Sequence, residues 1–165
     1  MDASLTINHQ NTRKSSVFLH NLKRILSTSF MKQSLPDIIA IYQVPCSSLT
    51  ANITERFRAH APVRVSQGLT LIEHYGKASC EAEQQFDNGG YSEKTVLQFS
   101  TNEEISQYPP LAFVITDAQG QSYIIGTREQ PYPMVEITKS IDKEANVNNV
   151  KVTFTRRKSL VPCSV

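Results

Sequence analysis

The sequence has no tryptophan and only three cysteines among its 165 residues. Cys46, Cys80 and Cys163 form no C-x-x-C pair and have no regular spacing with the four histidines, which argues against a structural zinc site. Dispersed thiols are typical of proteins in a reducing compartment, although one disulfide with a leftover thiol stays open as an alternative. We therefore expect buried or idle thiols, no metal and a cytosolic site of synthesis.

Long hydrophobic runs are also missing. The apolar residues of SVFLHNLKRILSTSFM are interrupted by His20, Lys23 and Arg24, whereas a membrane span needs about 20 consecutive apolar residues. The first residues, MDASLTINHQNTRKSS, have no apolar segment directly after their charges and do not resemble a secretory signal. We expect a protein that is neither secreted nor inserted in a membrane.

Motifs for catalysis are missing as well. The sequence contains no G-x-S-x-G, G-x-x-x-x-G-K-[ST], G-x-G-x-x-G or H-E-x-x-H. Glu81 and Glu83 are two residues apart on a predicted strand, so both carboxylates belong on one solvated face. His74 and Cys80 have no visible third partner of the kind that activates a nucleophile. The sequence therefore predicts no enzymatic activity and no cofactor.

Charge is unevenly distributed, although the net charge is only +2. Residues 1–66 carry eight Lys/Arg and three Asp/Glu, residues 67–149 carry five and twelve, and residues 150–165 carry four and none. Basic ends around an acidic middle suit a protein whose ends contact an acidic surface, such as the middle of a neighbouring copy; neutralisation within one molecule is the alternative. Arg156, Arg157 and Lys158 also suit non-specific contact with DNA phosphates.

Residues 15–33 are predicted to form an amphipathic helix. Its apolar face consists of Phe18, Leu22, Ile25, Leu26 and Phe30. Lys23 and Arg24 lie toward the other side. The apolar face either packs within the molecule or docks on another subunit. We place this helix and a short strand in an N-terminal arm, residues 1–66, followed by a β domain, residues 67–165.

The β domain is predicted from alternating apolar residues and turn signals. Segments 78–87 and 91–100 alternate on either side of Asn88-Gly89, which favours a tight hairpin turn. Segments 111–116 and 121–126 flank a turn that ends in a glycine. Segments 135–140 and 150–157 pair across a polar loop, and 69–75 is a further strand. Within the arm, 37–44 is predicted to be a strand, and a short strand is expected around Val63 and Val65. The fold class is therefore mainly β: an antiparallel β-sandwich or small barrel of about six to eight strands, with an N-terminal helical or extended arm.

The segment GTREQPYP, residues 126–133, places Arg128 close to a tyrosine that lies between two prolines. Because each proline lacks a backbone donor, this segment suits a protected sheet edge or a crossing loop. The same stiffness suits Tyr132 to anchoring an interface. Arg128 and Tyr132 are therefore candidates for interaction with a partner.

The sequence LAFVITDAQGQSYIIGTREQPYP, followed by a loop and VKVTFTRRKSLVPC, resembles small β-rich proteins encoded among the virion genes of tailed bacteriophages and prophages, including the crAss-like phages. The resemblance covers roughly residues 69–165. It implies a structural protein of the neck or tail: a ring, head-tail connector, adaptor or tail-tube-like subunit. Such a protein forms homo-oligomers, contacts other neck and tail proteins, and resides in the virion after assembly in the host cytoplasm.

Two functions follow as expectations. The first is a virion structural protein that works by oligomeric assembly. Its interaction candidates are Phe18, Leu22, Lys23, Arg24, Arg128, Tyr132, Arg156, Arg157 and Lys158. The alternative is a soluble, non-enzymatic β-rich binding module for a small ligand or carbohydrate. That alternative uses a sheet face or the Arg128–Tyr132 loop, and it requires a concave pocket with convergent polar groups near this loop.

Overall fold

The computed structural model describes residues 32–87, 90–106, 108–129, 136–142 and 147–165. These residues form an antiparallel β-sandwich of two five-stranded sheets, which confirms the predicted mainly-β sandwich, although its ten strands exceed the six to eight expected. The strands are β1 (Lys32–Ser34), β2 (Ile38–Pro45), β3 (Thr70–Ile72), β4 (Tyr75–Asp87), β5 (Gly90–Thr101), β6 (Leu111–Asp117), β7 (Ser122–Ile125), β8 (Glu136–Asp142), β9 (Val147–Arg156) and β10 (Leu160–Cys163). A 3-10 turn (Cys46–Ser48) and a short helix, α1 (Ile53–Arg58), lie between β2 and β3.

The chain alternates between the two sheets. Sheet A has the order β1-β4-β5-β9-β8, and sheet B has the order β10-β7-β6-β2-β3. Every pair of neighbouring strands is antiparallel. The hairpins β4–β5 and β8–β9 therefore lie side by side in sheet A, although the β6–β7 hairpin of sheet B separates them in sequence.

All three predicted hairpins are present. β4 pairs with β5 as far as Asp87 and Gly90, and β8 pairs with β9. In the β6–β7 turn, Gly120 has a φ of 80°, a left-handed conformation that glycine adopts readily. The Asp117 carboxylate accepts the backbone N–H groups of Gln119 and Gln121, both at 2.9 Å, and so fixes this turn.

The main core lies between the sheets. Alternate residues of sheet A point inward, as expected, and every second residue from Ala78 to Ala82 and from Val150 to Phe154 is buried. Sheet B contributes Ile41, Phe113, Ile115 and Ile125 to the same cluster. Phe99 of sheet A and Phe113 of sheet B meet with their ring centroids 6.4 Å apart. Apolar residues of both sheets thus bury one another.

A second core covers the outer face of sheet B. The segment from Cys46 to Val65, including α1, packs against that face. It contributes Cys46, Leu49, Ile53, Val63 and Val65, which cover Val44, Ala112, Val114, Ile124 and Val161 of the sheet. Two backbone hydrogen bonds of 3.0 Å hold its end to the chain after β10, from Val65 N–H to Ser164 O and from Ser164 N–H to Val63 O. Sheet B is therefore buried on both faces.

These contacts correct the predicted division at residue 66. Residues 32–66 are part of the sandwich, because β2 pairs with both β3 and β6 and the 46–65 segment covers sheet B. The short strand expected around Val63 and Val65 is an isolated parallel bridge between Arg64 and Ser164. The strand expected at 69–75 shortens to β3.

The predicted helix at 15–33 falls mostly outside the described residues. Its last two positions, Lys32 and Gln33, lie in β1, which pairs with β4. The interaction candidates Phe18, Leu22, Lys23 and Arg24 lie outside the described residues.

Candidate interaction site

A polar cleft of about 210 Å³ lies where the 126–129 segment meets α1 and the end of β9. Arg58 comes from the last turn of α1, and Arg156 and Arg157 come from the end of β9 and the residue that follows it. Glu55 and Glu129 are the acidic residues in its lining. The structure therefore brings the predicted candidates Arg156 and Arg157 beside the predicted GTRE segment and adds a third guanidinium group from α1.

Gly126 directs the chain into this cleft. It follows β7 with a φ of 127°, which an L side chain rarely adopts. The next residue, Thr127, is buried, and Glu129 is partly buried. The chain thus turns from the end of sheet B toward the start of α1.

Glu129 links three parts of the chain. Its carboxylate accepts hydrogen bonds from the hydroxyl of Thr127 and from the backbone N–H of Asn52, the residue that precedes α1. Its Oε2 also lies 3.5 Å from Nη1 of Arg156. Burial alone would raise the pKa of Glu129, but these hydrogen bonds, its own backbone N–H and the charge of Arg156 together hold the pKa below its usual value. Glu129 is therefore an ionised anchor for the wall of the cleft.

Arg128 is not among the residues that line the cleft, although it lies in the 126–129 segment. Its side chain donates from Nη1 to the backbone oxygen of Leu49 at 3.4 Å, and the residue is exposed. Arg128 thus contacts the 46–65 cover of sheet B, whereas Arg156 and Arg157 line the cleft. Tyr132 lies outside the described residues.

Lys158 belongs to a buried network beside the cleft. Its Nζ lies 2.7 Å from Oε2 of Glu93, a carboxylate that is only 4% exposed. The other oxygen of Glu93 accepts the backbone N–H groups of Ser159 at 3.0 Å and Leu160 at 2.9 Å. The hydroxyls of Ser159 and Thr95 lie 2.6 Å apart. The network fastens the crossing from β9 in sheet A to β10 in sheet B.

The ionisation of Glu93 depends on this network. Burial raises the pKa of Glu93, but the hydrogen bond and charge of Lys158 and the N–H groups of Leu160 and Ser159 outweigh burial and lower it. Glu93 is therefore charged near neutral pH. Lys158, predicted as an interaction candidate, is largely engaged in holding the two sheets together.

An exposed aromatic pair lies at the tip of the β4–β5 hairpin. Phe86 and Tyr91 are opposite each other in the register, with ring centroids 4.9 Å apart. They are 64% and 71% exposed. Among the described residues, β1 extends only to the partner of Glu83 and β9 only to the partner of Glu93, so the tip reaches beyond both neighbouring strands. Both rings continue the alternation of the inward-facing residues past the end of the core.

Sequence reasoning did not single out this pair, although a signal for it exists. Phe86 and Tyr91 flank Asn88-Gly89 and continue the pattern of Ala78, Cys80 and Ala82 on one strand and of Leu97 and Phe99 on the other. A hairpin longer than its neighbouring strands leaves such residues without a core to enter. The lengths of those neighbours are not visible in the local sequence.

The residues weighed as catalytic candidates do not converge. Cys80 points into the core, whereas Glu81 is on the solvent face of the same strand, 3.0 Å from Lys32. The three cysteines are free. Burial raises the pKa of Cys80, with a smaller contribution from Glu81, and burial raises the pKa of Cys163; both reach about 12. These thiols are therefore protonated at neutral pH and are weak nucleophiles.

Within the described ranges, no group of three or more His, Cys, Asp or Glu side chains is placed to hold a metal ion. The same part of the chain has no helix with the length and hydrophobicity needed to cross a membrane. The sequence matches no protein-family model, no curated protein and no solved structure.

Proposed function

We propose that the protein is a structural subunit of the neck or tail of a tailed bacteriophage. It acts as a ring, connector, adaptor or tube-like subunit, and it assembles with copies of itself and with other neck or tail proteins. The observation that carries the proposal is the exposed Phe86–Tyr91 pair at the tip of a hairpin that extends beyond the described sheet.

The aromatic pair suits an interface anchor. Aromatic side chains bury roughly 150–250 Å² each, and tyrosine is enriched among the residues that dominate binding energy. Keeping two such rings in water forgoes the free energy that their burial would provide. A hairpin tip inserts into a neighbour without requiring the two sandwiches to pack face to face. Repetition of a contact between two different surfaces closes into a ring when the rotation allows.

Charge supports the same arrangement. The polar cleft presents Arg58 and Arg157, which are exposed, at the end of the molecule formed by α1 and the end of β9. The solvent face of β4 presents exposed Glu81 and Glu83. The hairpin tip and the cleft lie at the same end of sheet A, because Glu93, two residues after Tyr91, pairs with Arg156. In the proposed contact, the hairpin tip of one copy enters the cleft of its neighbour. Such complementarity orients subunits and speeds their encounter.

Mass photometry of the purified full chain tests the assembly step. We expect the wild type to form a discrete multimer at micromolar concentration and the Phe86→Ser/Tyr91→Ser double variant to be monomeric. Tyr108→Ser is the matched control, because Tyr108 is 84% exposed at a different place in the chain, between β5 and β6. A multimer that survives the double variant, or that Tyr108→Ser also disrupts, would exclude the hairpin tip as the contact.

Electron microscopy of phage particles tests the location. An antibody against the chain should label the neck or tail of particles from a strain that carries the gene, and mass spectrometry of purified particles should detect the chain. A wild-type chain that is monomeric at all concentrations, alone and with co-expressed neck and tail proteins, and that is missing from the particles would contradict the proposal.

A further inference from the structure

The outer face of sheet A carries a groove of about 440 Å³, within the range of roughly 300–1,000 Å³ that small-molecule sites occupy. It lies across β4, β5, β9 and β8, on the side of the sheet that faces away from the core. This is a different surface from the polar cleft and from the hairpin tip. Eight of its ten lining residues are polar or charged, and the other two are Phe99 and Val150.

The floor of the groove is built from two cross-strand rows. In the first row, Ser79 pairs with Gln98, Gln98 with Lys151 and Lys151 with Thr138. The second row runs from Ser100 through Asn149 to Ser140. All seven of these residues line the groove. Serine and threonine hydroxyls on β4, β5 and β8 and longer amide and lysine side chains on β5 and β9 thus form a polar surface, in which the Ser100 hydroxyl donates to Oδ1 of Asn149 at 2.6 Å.

An irregularity in β4 shapes one end of the groove. The register shifts between Tyr75, which pairs with Ser100, and Ser79, which pairs with Gln98. The β4 strand therefore advances four residues where β5 advances two. Such bulges re-aim side chains and often lie beside binding sites. Tyr75 is exposed and pairs with Ser100 of the second row, so it lies next to the lining residues at this end.

The charged side chains in the lining are both cationic. Lys77 lies 2.7 Å from Asp37 in a highly exposed pair, which water screens strongly. Lys151 makes no ion pair with a described residue. Among the side chains that the structure describes, no carboxylate lines the groove. The floor therefore offers hydroxyl and amide groups that both donate and accept, together with ammonium groups that attract an anion.

This combination points to an acidic glycan, and we propose that the sheet A groove binds an oligosaccharide that carries carboxylate groups. Sugar hydroxyls both donate and accept, as the serine, threonine and amide side chains do. A uronate carboxylate would pair with Lys151 or Lys77, and the apolar face of a sugar ring would stack on Tyr75. Single-stranded nucleic acid fits less well, because such sites combine a basic groove with several aromatic platforms.

Isothermal titration calorimetry on the full chain tests this inference with three probes: an oligogalacturonate, a neutral galacto-oligosaccharide of the same length and a single-stranded oligonucleotide. We expect binding of the oligogalacturonate and at least about tenfold weaker affinity for the neutral sugar, since a charge-assisted hydrogen bond contributes that much. Lys151→Met and Gln98→Ala should each weaken oligogalacturonate binding, Lys151→Met by about tenfold or more.

Lys94→Met is the matched control, because Lys94 is on the same strand as Gln98 but does not line the groove. It should leave affinity unchanged, and circular dichroism should show all variants folded. Three results would overturn the proposal: no binding of the acidic oligosaccharide by the wild type, tighter binding of the oligonucleotide, or an equal loss in Lys94→Met and Lys151→Met. Since Phe86 and Tyr91 are not in the groove, loss of assembly in their double variant leaves this test intact.

Discussion

The two sheets of the sandwich differ in how they meet solvent. Sheet B is buried on both faces, by sheet A on one side and by the 46–65 segment on the other. Sheet A is buried on one face and presents polar side chains on the other. A strand with two buried faces reads as a continuous apolar run, as β6 does, whereas a strand with one buried face alternates. The difference assigns stability to sheet B and leaves the outer face of sheet A available for binding.

Truncation of a buried side chain in the second core should give the largest loss of stability. Leu49→Ala should lower the free energy of unfolding by about 2 to 5 kcal/mol, because the side chain is fully buried in the second core and its loss leaves a cavity. Chemical denaturation followed by circular dichroism measures the change. Leu71→Ala, on exposed edge strand β3, should cost less than about 1 kcal/mol. Equal losses would mean that the 46–65 segment does not act as a core layer.

Loss of the Glu93 network, which fastens the crossing from β9 to β10, should give the next largest loss of stability. Glu93→Ala leaves the N–H groups of Ser159 and Leu160 without their acceptor, which should cost about 3 kcal/mol. Glu83→Ala, at an exposed position of the neighbouring strand, should change the free energy of unfolding by less than about 0.5 kcal/mol. A loss below 1 kcal/mol in Glu93→Ala would show that the crossing from β9 to β10 is held by other contacts.

The stability that Glu93 provides should depend on pH. Because the folded state lowers the pKa of Glu93 below its ordinary value of 4.5, its contribution is complete above that value and is lost as the pH falls through the lowered pKa. The difference in free energy of unfolding between the wild type and Glu93→Gln should therefore be constant near neutral pH and shrink below about pH 4.5. Urea denaturation over a pH series measures it. A difference that grows on acidification would contradict the assigned direction.

A change to Glu129 in the polar cleft should have a smaller effect on stability than the loss of Glu93. Glu129→Gln weakens the links to Thr127, Asn52 and Arg156 and should cost about 1 kcal/mol. Hydrogen exchange at the Asn52 amide should become faster, because its acceptor is then a neutral amide oxygen. Glu55→Gln, an exposed change in the lining of the same cleft, should leave that rate unchanged. Unaltered exchange in Glu129→Gln would show that Glu129 does not anchor the start of α1.

Changes on the open face of sheet A should have the smallest effect on stability. Gln98→Ala and Thr138→Ala should each alter the free energy of unfolding by less than about 0.5 kcal/mol, because both side chains are exposed. Thermal denaturation measures the change. A larger loss would mean that this face is covered in the folded protein, and the contrast between the sheets would then disappear.

Local pattern explains which strands could be predicted. The alternation in β4, β5 and β9 and the turn before Gly120 are properties of adjacent residues, so the three hairpins were accessible from sequence. The 46–65 segment that covers sheet B was not accessible from sequence. Leu49, Ile53, Val63 and Val65 have no regular spacing, and their burial depends on an apolar face built by strands far along the chain. The short β1 and β10 carry too few residues for a period to show.

The candidate surfaces were partly accessible for the same reason. Arg156 and Arg157 form a visible run in the sequence. Their approach to Arg58 and Glu129 depends on how β9 and α1 are placed in the fold. The sheet A groove draws residues from Lys77 to Lys151, a separation over which local pattern carries no information. Only the register of four strands brings them into rows.

The alternation of the chain between the sheets has a consequence for synthesis. β10 closes the free side of β7, and it is made after the nine other strands described in the sandwich. A polypeptide interrupted before Leu160 would present the unpaired backbone N–H and C=O groups of β7 and would lack the acceptor that holds Val65. Exposed edges of this kind promote aggregation and degradation. Sheet B is therefore complete only once β10 has been synthesised.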